Sequence, residues 1–240
     1  MTFKKFKQFV NYKIDLDKIH RSNDDAYALQ VILKLFPEYT YLPFTPFSLN
    51  PYTIIHILND ILLNNRKQIV EFGSGISTIV IAQFIKTNKL KTKILSIDNN
   101  KDWQSIISQE VEKYNCGMNL TLLHAELVEN TRDNYIIDQN KYWYNNEIVE
   151  TTINSIENID LVVVDGPSTG TSAYARYPSF LSVQNKLASS YCIFLDDIKR
   201  NGEREIIEKW NKTIQGNLQY EKMYATITVG QKFSTKPLSH

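Results

Sequence analysis

Short, nearly continuous apolar runs punctuate the chain at Gln68–Phe72, Lys93–Ile97, Leu120–Leu123, Leu161–Val164 and Tyr191–Leu195, and each stops at Gly, Asp, Asn or His. Strands covered on both faces by helices carry runs of this length and composition. Segments of helical length lie between and around them, at Ser77–Thr87, Lys101–Tyr114, Tyr177–Ala188 and Glu203–Thr213. Pro51–Leu63 precedes the first strand as an apolar helix with Pro51 in its first turn. Leu218–Met223 and Ala225–Val229 close the chain as a strand pair. The alternation predicts an α/β three-layer sandwich with a mostly parallel, seven-stranded sheet and an antiparallel C-terminal strand. Residues 51–240 form the domain in this reading, and 1–50 an N-terminal extension or lid, with the aromatic, proline-bearing stretch Tyr39–Asn50 as an ordered cover.

Composition narrows the partners. The 240 residues hold 27 Lys plus Arg against 26 Asp plus Glu, so no overall cationic field draws nucleic acid or an anionic membrane to the chain. Met1–His20 interrupts its apolar residues with lysines and acids, unlike a secretory signal, and no stretch approaches the length of a membrane span. Cys116 and Cys192 are too few and too scattered for a disulfide scaffold or a zinc site. A reducing, cytoplasmic setting fits.

The most informative stretch is Ile69-Val70-Glu71-Phe72-Gly73-Ser74-Gly75-Ile76-Ser77-Thr78, in which an acid at a strand end leads into a Gly-x-Gly turn and a helix. Gly73 and Gly75 let the backbone approach a ligand, and the helix start presents free N–H groups. Ser74, Ser77 and Thr78 add hydroxyl donors for a carboxylate. Thr78 occupies the position of the third glycine in a dinucleotide fingerprint, which argues against a nicotinamide cofactor. The next strand ends at Asp98, where an acid can accept from both hydroxyls of a ribose. Trp103 follows as a core residue or as a flank for a base.

A second set combines Asp165-Gly166-Pro167 with Asp196-Asp197, at the carboxyl ends of neighbouring strands where open α/β sheets bind ligands. Clustered carboxylates repel one another unless a cation intervenes, so Asp165, Asp196 and Asp197 are candidate ligands of a hard ion such as Mg²⁺. Such an ion can hold two adjacent hydroxyls and lower the pKa of one, which would make that oxygen a nucleophile. The alternative is structural: Asp196 caps the helix ahead, and Asp197 pairs with Arg200 or Arg204. Lys199, Arg200 and Arg204 are solvated charges or anchors for an anionic acceptor. The Ser168–Tyr177 loop is a mobile cover or plain surface.

Taken together, Glu71–Thr78, Asp98 with Trp103, His124-Ala125, Trp143-Tyr144, Val164–Pro167, Arg176–Pro178 and Leu195–Arg204 with Trp210 resemble a group of small bacterial class I methyltransferases over roughly residues 48–230. The acid arrangement is similar to that of metal-dependent O-methyltransferases of the catechol and sugar types. The resemblance implies a Rossmann-like fold and S-adenosylmethionine as cofactor, held by Glu71, Gly73, Ser74, Gly75, Ser77, Thr78 and Asp98, with Ala125 and Glu126 at the adenine. It further implies a small-molecule or saccharide acceptor, Mg²⁺ as a candidate assistant, and Asp165 or His124 as the base. Asp197 stands where the catechol enzymes carry Asn, and Ser168 where they carry a catalytic lysine. A homo-oligomer is left open. The competing readings are an NAD-dependent oxidoreductase and a non-catalytic nucleoside-binding scaffold module.

Overall fold

The computed structural model describes residues 20, 22–137, 140–168, 170 and 173–239. Most of the Met1–His20 stretch read above lies outside the described residues, as do 169, 171 and 172 of the Ser168–Tyr177 loop.

In chain order the elements are α1 (22–33), α2 (Pro51–Leu63), β1 (Gln68–Phe72), α3 (Ile76–Thr87), β2 (Lys93–Asp98), α4 (Lys101–Lys113), β3 (Leu120–His124), β4 (Leu127–Glu129), β5 (Tyr142–Tyr144), α5 (Asn146–Asn154), β6 (Ile159–Val164), α6 (Pro178–Val183), β7 (Leu187–Leu195), α7 (Asn201–Ile214), β8 (Asn217–Tyr220) and β9 (Ala225–Val229). The main sheet has seven strands in the order β3-β2-β1-β6-β7-β9-β8, with β9 antiparallel to both neighbours; β4 and β5 make a separate hairpin.

Side chains alternate across the sheet as strand geometry requires. Ile69, Ile94, Leu161, Val163 and Phe194 face a core shared with α1 to α4. Val70, Phe72, Ile97, Val162, Val164 and Leu195 face a second core that includes Trp143, Tyr144, Val149, Phe180, Ile206 and Trp210. Three layers result, and each fully buried Leu, Ile, Val or Phe contributes about 1.5–3 kcal/mol. Cys116 and Cys192 are buried free thiols. No helix of the described residues is long and apolar enough to cross a membrane.

Three differences from the sequence pattern have local causes. The helix expected over Tyr177–Ala188 ends at Val183, because Leu187 already pairs with Ile159 and extends β7 backwards. β8 stops at Tyr220, where the Glu221 N–H meets the Tyr224 carbonyl and turns the chain into β9. α1 lies within the stretch read as extension or lid, yet it buries Ala28 and Ile32 in the first core.

β1 is the switch point of the topology: the chain winds from β1 through β2 to β3, then returns to β6 on the other side of β1. Open α/β sheets form their ligand crevice at the carboxyl edge of such a point. Gly73 follows β1 there, and Asp165 and Gly166 follow β6.

Candidate functional site

A cleft of about 580 Å³ opens at this edge, bounded by Gly73–Ser77, Asp98–Asn100, Trp103, Tyr144, Asp165–Ser168, Arg176, Asp196, Asp197, Arg200 and Met223, with Thr45–Asn50 along one wall. Its size is in the range of small-molecule sites.

Its floor is made by two glycines packed back to back. Gly73 has φ +97°, in the left-handed region, and a Cβ on it would meet the Gly166 nitrogen at 2.8 Å. A Cβ on Gly166 would fall against the Tyr144 hydroxyl and the Gly73 backbone. The Asp165 and Gly166 amides both donate to the Phe72 carbonyl, at 2.9 and 2.7 Å, which ties the two strand ends together. Gly166-Pro167 is cis. Gly75 is extended, and only the Ser77 hydroxyl approaches its Cβ position, at 3.9 Å, so that glycine leaves open space at the start of α3.

Around the turn, polar groups first satisfy one another. Glu71 is fully buried and accepts from the hydroxyls of Ser77 (2.6 Å), Thr78 (2.5 Å) and Ser96 (2.7 Å). Burial raises its pKa to about 7, against the lowering effect of those three donors. Here the geometry corrects the sequence reading. Glu71 and Thr78 lie beneath the cleft and do not line it; Ser77 lines it but gives its hydroxyl to Glu71, and Thr78 spends its own there and on the Gly75 amide. The acid anchors the turn from below because a carboxylate with three short donors holds the start of α3 against the end of β1.

Asp98 is brought to the same edge by β2 and does line the cleft. Its two oxygens accept the backbone N–H groups of Ser74 (2.9 Å) and Asn100 (2.7 Å). Desolvation still lifts its pKa above the ordinary aspartate value. Asn100 caps α4 by accepting from the Trp103 amide, and this aims the indole at the turn, where Nε1–H donates to the Ser74 carbonyl at 2.8 Å. Trp103 thus braces the glycine turn and lines the cleft at once.

His124, Ala125 and Glu126 do not join the site. His124 is exposed, with Nε2 3.1 Å from the Asn99 carbonyl oxygen. Ala125 is fully buried, its amide spent on the Asp98 carbonyl, and Glu126 is exposed. None of the three lines the cleft among the described residues. His124 stands at the end of β3, with β2 and β1 between it and β6, and so lies away from Asp165.

The second half of the cleft collects acids. Asp165, Asp196 and Asp197 each present a carboxylate oxygen within 4.8 Å of the others. Adjacent residues of a strand would point to opposite faces, but Asp197 lies past the end of β7 at φ +61°, and this turns both carboxylates to one side. Arg176 enters between them, only 3% exposed, with Nη2 3.1 Å from Asp165 Oδ1 and 3.0 Å from Asp197 Oδ2, and with Nη1 donating to the Asp196 carbonyl. Arg200 adds a second contact to Asp197 Oδ2, at 2.8 Å. The pairing of Asp197 with Arg200 follows the structural alternative; Arg204 instead donates to the Ile198 carbonyl. Asp196 Oδ1 is buried with no hydrogen-bond partner among the described residues. Burial, then repulsion from Asp165 and Asp197, pushes the Asp196 pKa far up; burial likewise raises that of Asp165 against the pull of Arg176.

Arg176 and Tyr144 enter the sequence reading only as members of motifs, without a role of their own. A lone arginine shortly before a helix-starting proline gives no sign of which acids it will meet. Tyr144 sits on β5, a three-residue strand too short for periodicity to register.

Residues 70–198, more than half of the chain, match the family described as a methyltransferase domain. The chain belongs to this family. The methyltransferase fold is shared with solved structures of low identity. The SAH-bound Podospora anserina methyltransferase PaMTH1 has a TM-score of 0.55 and 13% identity over 92% of this chain and 96% of that one. For the SAM complex of the O-methyltransferase TomG from Streptomyces achromogenes, involved in tomaymycin synthesis, the values are 0.54, 9%, 85% and 90%. For the SAH complex of a Bacillus cereus O-methyltransferase they are 0.52, 12%, 86% and 90%. No curated protein matches the sequence. The family assignment goes against the oxidoreductase and scaffold readings.

Proposed function

We propose that this methyltransferase uses S-adenosylmethionine to methylate an oxygen of a small polar acceptor, a sugar hydroxyl or a similar vicinal diol. The observation that carries the reading is the meeting, in one cleft, of a glycine turn with Asp98 and a three-carboxylate cluster. SAM- and SAH-bound proteins of the same fold, two of them described as O-methyltransferases, support it.

In this reading the ribose hydroxyls donate to the remaining lone pairs of Asp98, and the methionine arm runs over Gly73–Gly75 into the space left by the missing Cβ. The acceptor enters on the Asp165 side, beside Arg176 and Arg200 and against the wall formed by Thr45–Asn50. Asp165 takes the hydroxyl proton. Its partial burial makes the carboxylate a stronger proton acceptor than a solvated one, while Arg176 holds it in place. The sulfonium is already activated, so alignment of the two reactants and exclusion of water supply the acceleration.

Mg²⁺ fits the donor set. The cluster is all oxygen, and Asp196 Oδ1 is buried without a partner among the described residues, while Arg176 engages one oxygen each of Asp165 and Asp197. Asp165, Asp196 and Asp197 would hold the ion, which when bound lowers the pKa of an acceptor hydroxyl.

Calorimetric titration with S-adenosylhomocysteine, with and without Mg²⁺ and beside NAD, tests the proposal. Saturable binding of S-adenosylhomocysteine, weakened tenfold or more in Asp98→Ala, is the expected result. Binding of NAD alone would refute it. Methylation of a diol acceptor that is indifferent to Mg²⁺ and to chelator would remove the metal and leave Arg176 as the cation of the cluster.

A further inference from the structure

Among the buried polar atoms that have no hydrogen-bond partner in the described residues, two belong to side chains lining the cleft: Asp196 Oδ1 and the Tyr144 hydroxyl. A buried hydroxyl left unpaired destabilises the fold, and such groups in native proteins mark a missing partner. Nothing about the ring suggests looseness. Tyr144 is fully buried, stacked on Phe72 with centroids 6.1 Å apart and met edge-on by Trp143 at 5.6 Å. Its hydroxyl touches the space that a Cβ on Gly166 would occupy, so the absence of a side chain there is what admits it to the floor. That floor is the seam between the Gly73 turn and the acid cluster.

The charges around the hydroxyl select its ligand. Burial, with the negative charges of Asp98, Asp165 and Glu71 outweighing the Arg176 cation, keeps the phenol neutral. A fixed neutral oxygen in negative surroundings is a site for a cation that can donate a hydrogen bond. S-adenosylmethionine carries two cations, the sulfonium and the ammonium of its amino-acid end, and only the ammonium has N–H groups.

We propose that the Tyr144 hydroxyl accepts a hydrogen bond from the ammonium of the cofactor's amino-acid end and so fixes the methionine arm across the seam between the two glycines. This rests on the S-adenosylmethionine reading of the cleft. Tyr144 then helps to bind cofactor and product alike, since the ammonium is common to both, and it sets the position of the sulfur relative to Asp165.

The test uses Tyr144→Phe, which removes one oxygen and keeps the ring stack, with two probes: S-adenosylhomocysteine and its deamino analogue, which retains the carboxylate. A hydrogen bond to a charged group predicts a loss of S-adenosylhomocysteine affinity of about tenfold or more in the variant. The deamino analogue should bind wild type and variant alike, and the melting temperature should stay level or rise, because an unpaired hydroxyl has been removed. Unchanged affinity for S-adenosylhomocysteine, or an equal loss for both probes, would overturn the proposal. Should the variant not fold, the wild type still tests the proposal: equal affinity for the two probes overturns it. Failure of wild type to bind S-adenosylhomocysteine would instead bring down the cofactor reading on which it rests.

Discussion

The two halves of the cleft use the same residue type, a buried carboxylate, in opposite ways. On the β1–β2 side, Glu71 and Asp98 are provided with donors: three hydroxyls for one, two backbone amides for the other. On the β6–β7 side, the Arg176 guanidinium pairs with the carboxylates of Asp165 and Asp197 but meets only the main-chain carbonyl of Asp196, Arg200 adds a contact to Asp197, and one buried Asp196 oxygen has no partner among the described residues. The first half is finished before any ligand arrives. The second is not, and a site whose electrostatics are left unbalanced is one that a cation, a proton or a substrate can complete. Shaping and chemistry are thereby divided between the strand ends of one sheet.

The largest effect is expected from unbalancing the second half further. Arg176→Ala strips its buried cation from Asp165 and Asp197, and removing one partner of a buried ion pair costs about 3–5 kcal/mol. Urea unfolding at neutral pH should show it, with part of the loss recovered at lower pH as the acids take up protons. A variant as stable as wild type would mean that Arg200 or solvent already neutralises the cluster.

The first half can be probed through pH. Glu71 has a folded-state pKa raised to about 7 from an ordinary value of 4.5, so between these the folded protein holds a proton that the unfolded chain has released. Stability contributed by the protonated form is therefore present below about pH 4.5 and lost as pH rises to about 7, up to about 3 kcal/mol in all. Glu71→Gln should flatten the fall of melting temperature with pH over that window. The raised pKa values of Asp165 and Asp196 act with the same sign, so any slope left in the variant belongs to the second half; an unchanged slope would place all of it there.

The smallest change is Trp103→Phe, which deletes the Nε1–H donor to the Ser74 carbonyl. About 1 kcal/mol is expected, the net worth of one neutral hydrogen bond, read as a few-fold loss of S-adenosylhomocysteine affinity with little change in melting temperature. An effect on melting alone would reduce the indole to a packing role.

The division between the halves also explains how far the sequence could be read. Strand ends are legible because a short apolar run followed by Gly or Asp has one interpretation in an α/β pattern, and this brought Gly73, Asp98, Asp165, Asp196 and Asp197 to one edge. The direction of each side chain was not legible. Ser77 and Thr78 look like donors for a ligand until Glu71, six and seven residues earlier, takes both hydroxyls. His124 ends a strand like the others, but a parallel sheet of this width sets β3 at its margin. Arg176 and Tyr144 depend on contacts made far along the chain, and local pattern carries no trace of these. The β4–β5 hairpin that delivers Tyr144 consists of two three-residue strands, below the length at which alternation can be recognised.

The paired glycines of the floor have a bearing on assembly. Gly73 and Gly166 are about ninety residues apart in the chain, and the surface they share comes into being only when β1 and β6 have aligned. Contacts of such sequence separation close a long loop, whose entropic cost must be met before they form. A ligand that needs this floor has no partial version of it to recognise in an incompletely folded chain, so its binding acts on the folded state alone and shifts the folding equilibrium by mass action. Occupancy of the cleft is then a measure of how much of the chain has completed its central strand pairing, and the cellular concentration of cofactor sets part of the enzyme's own stability.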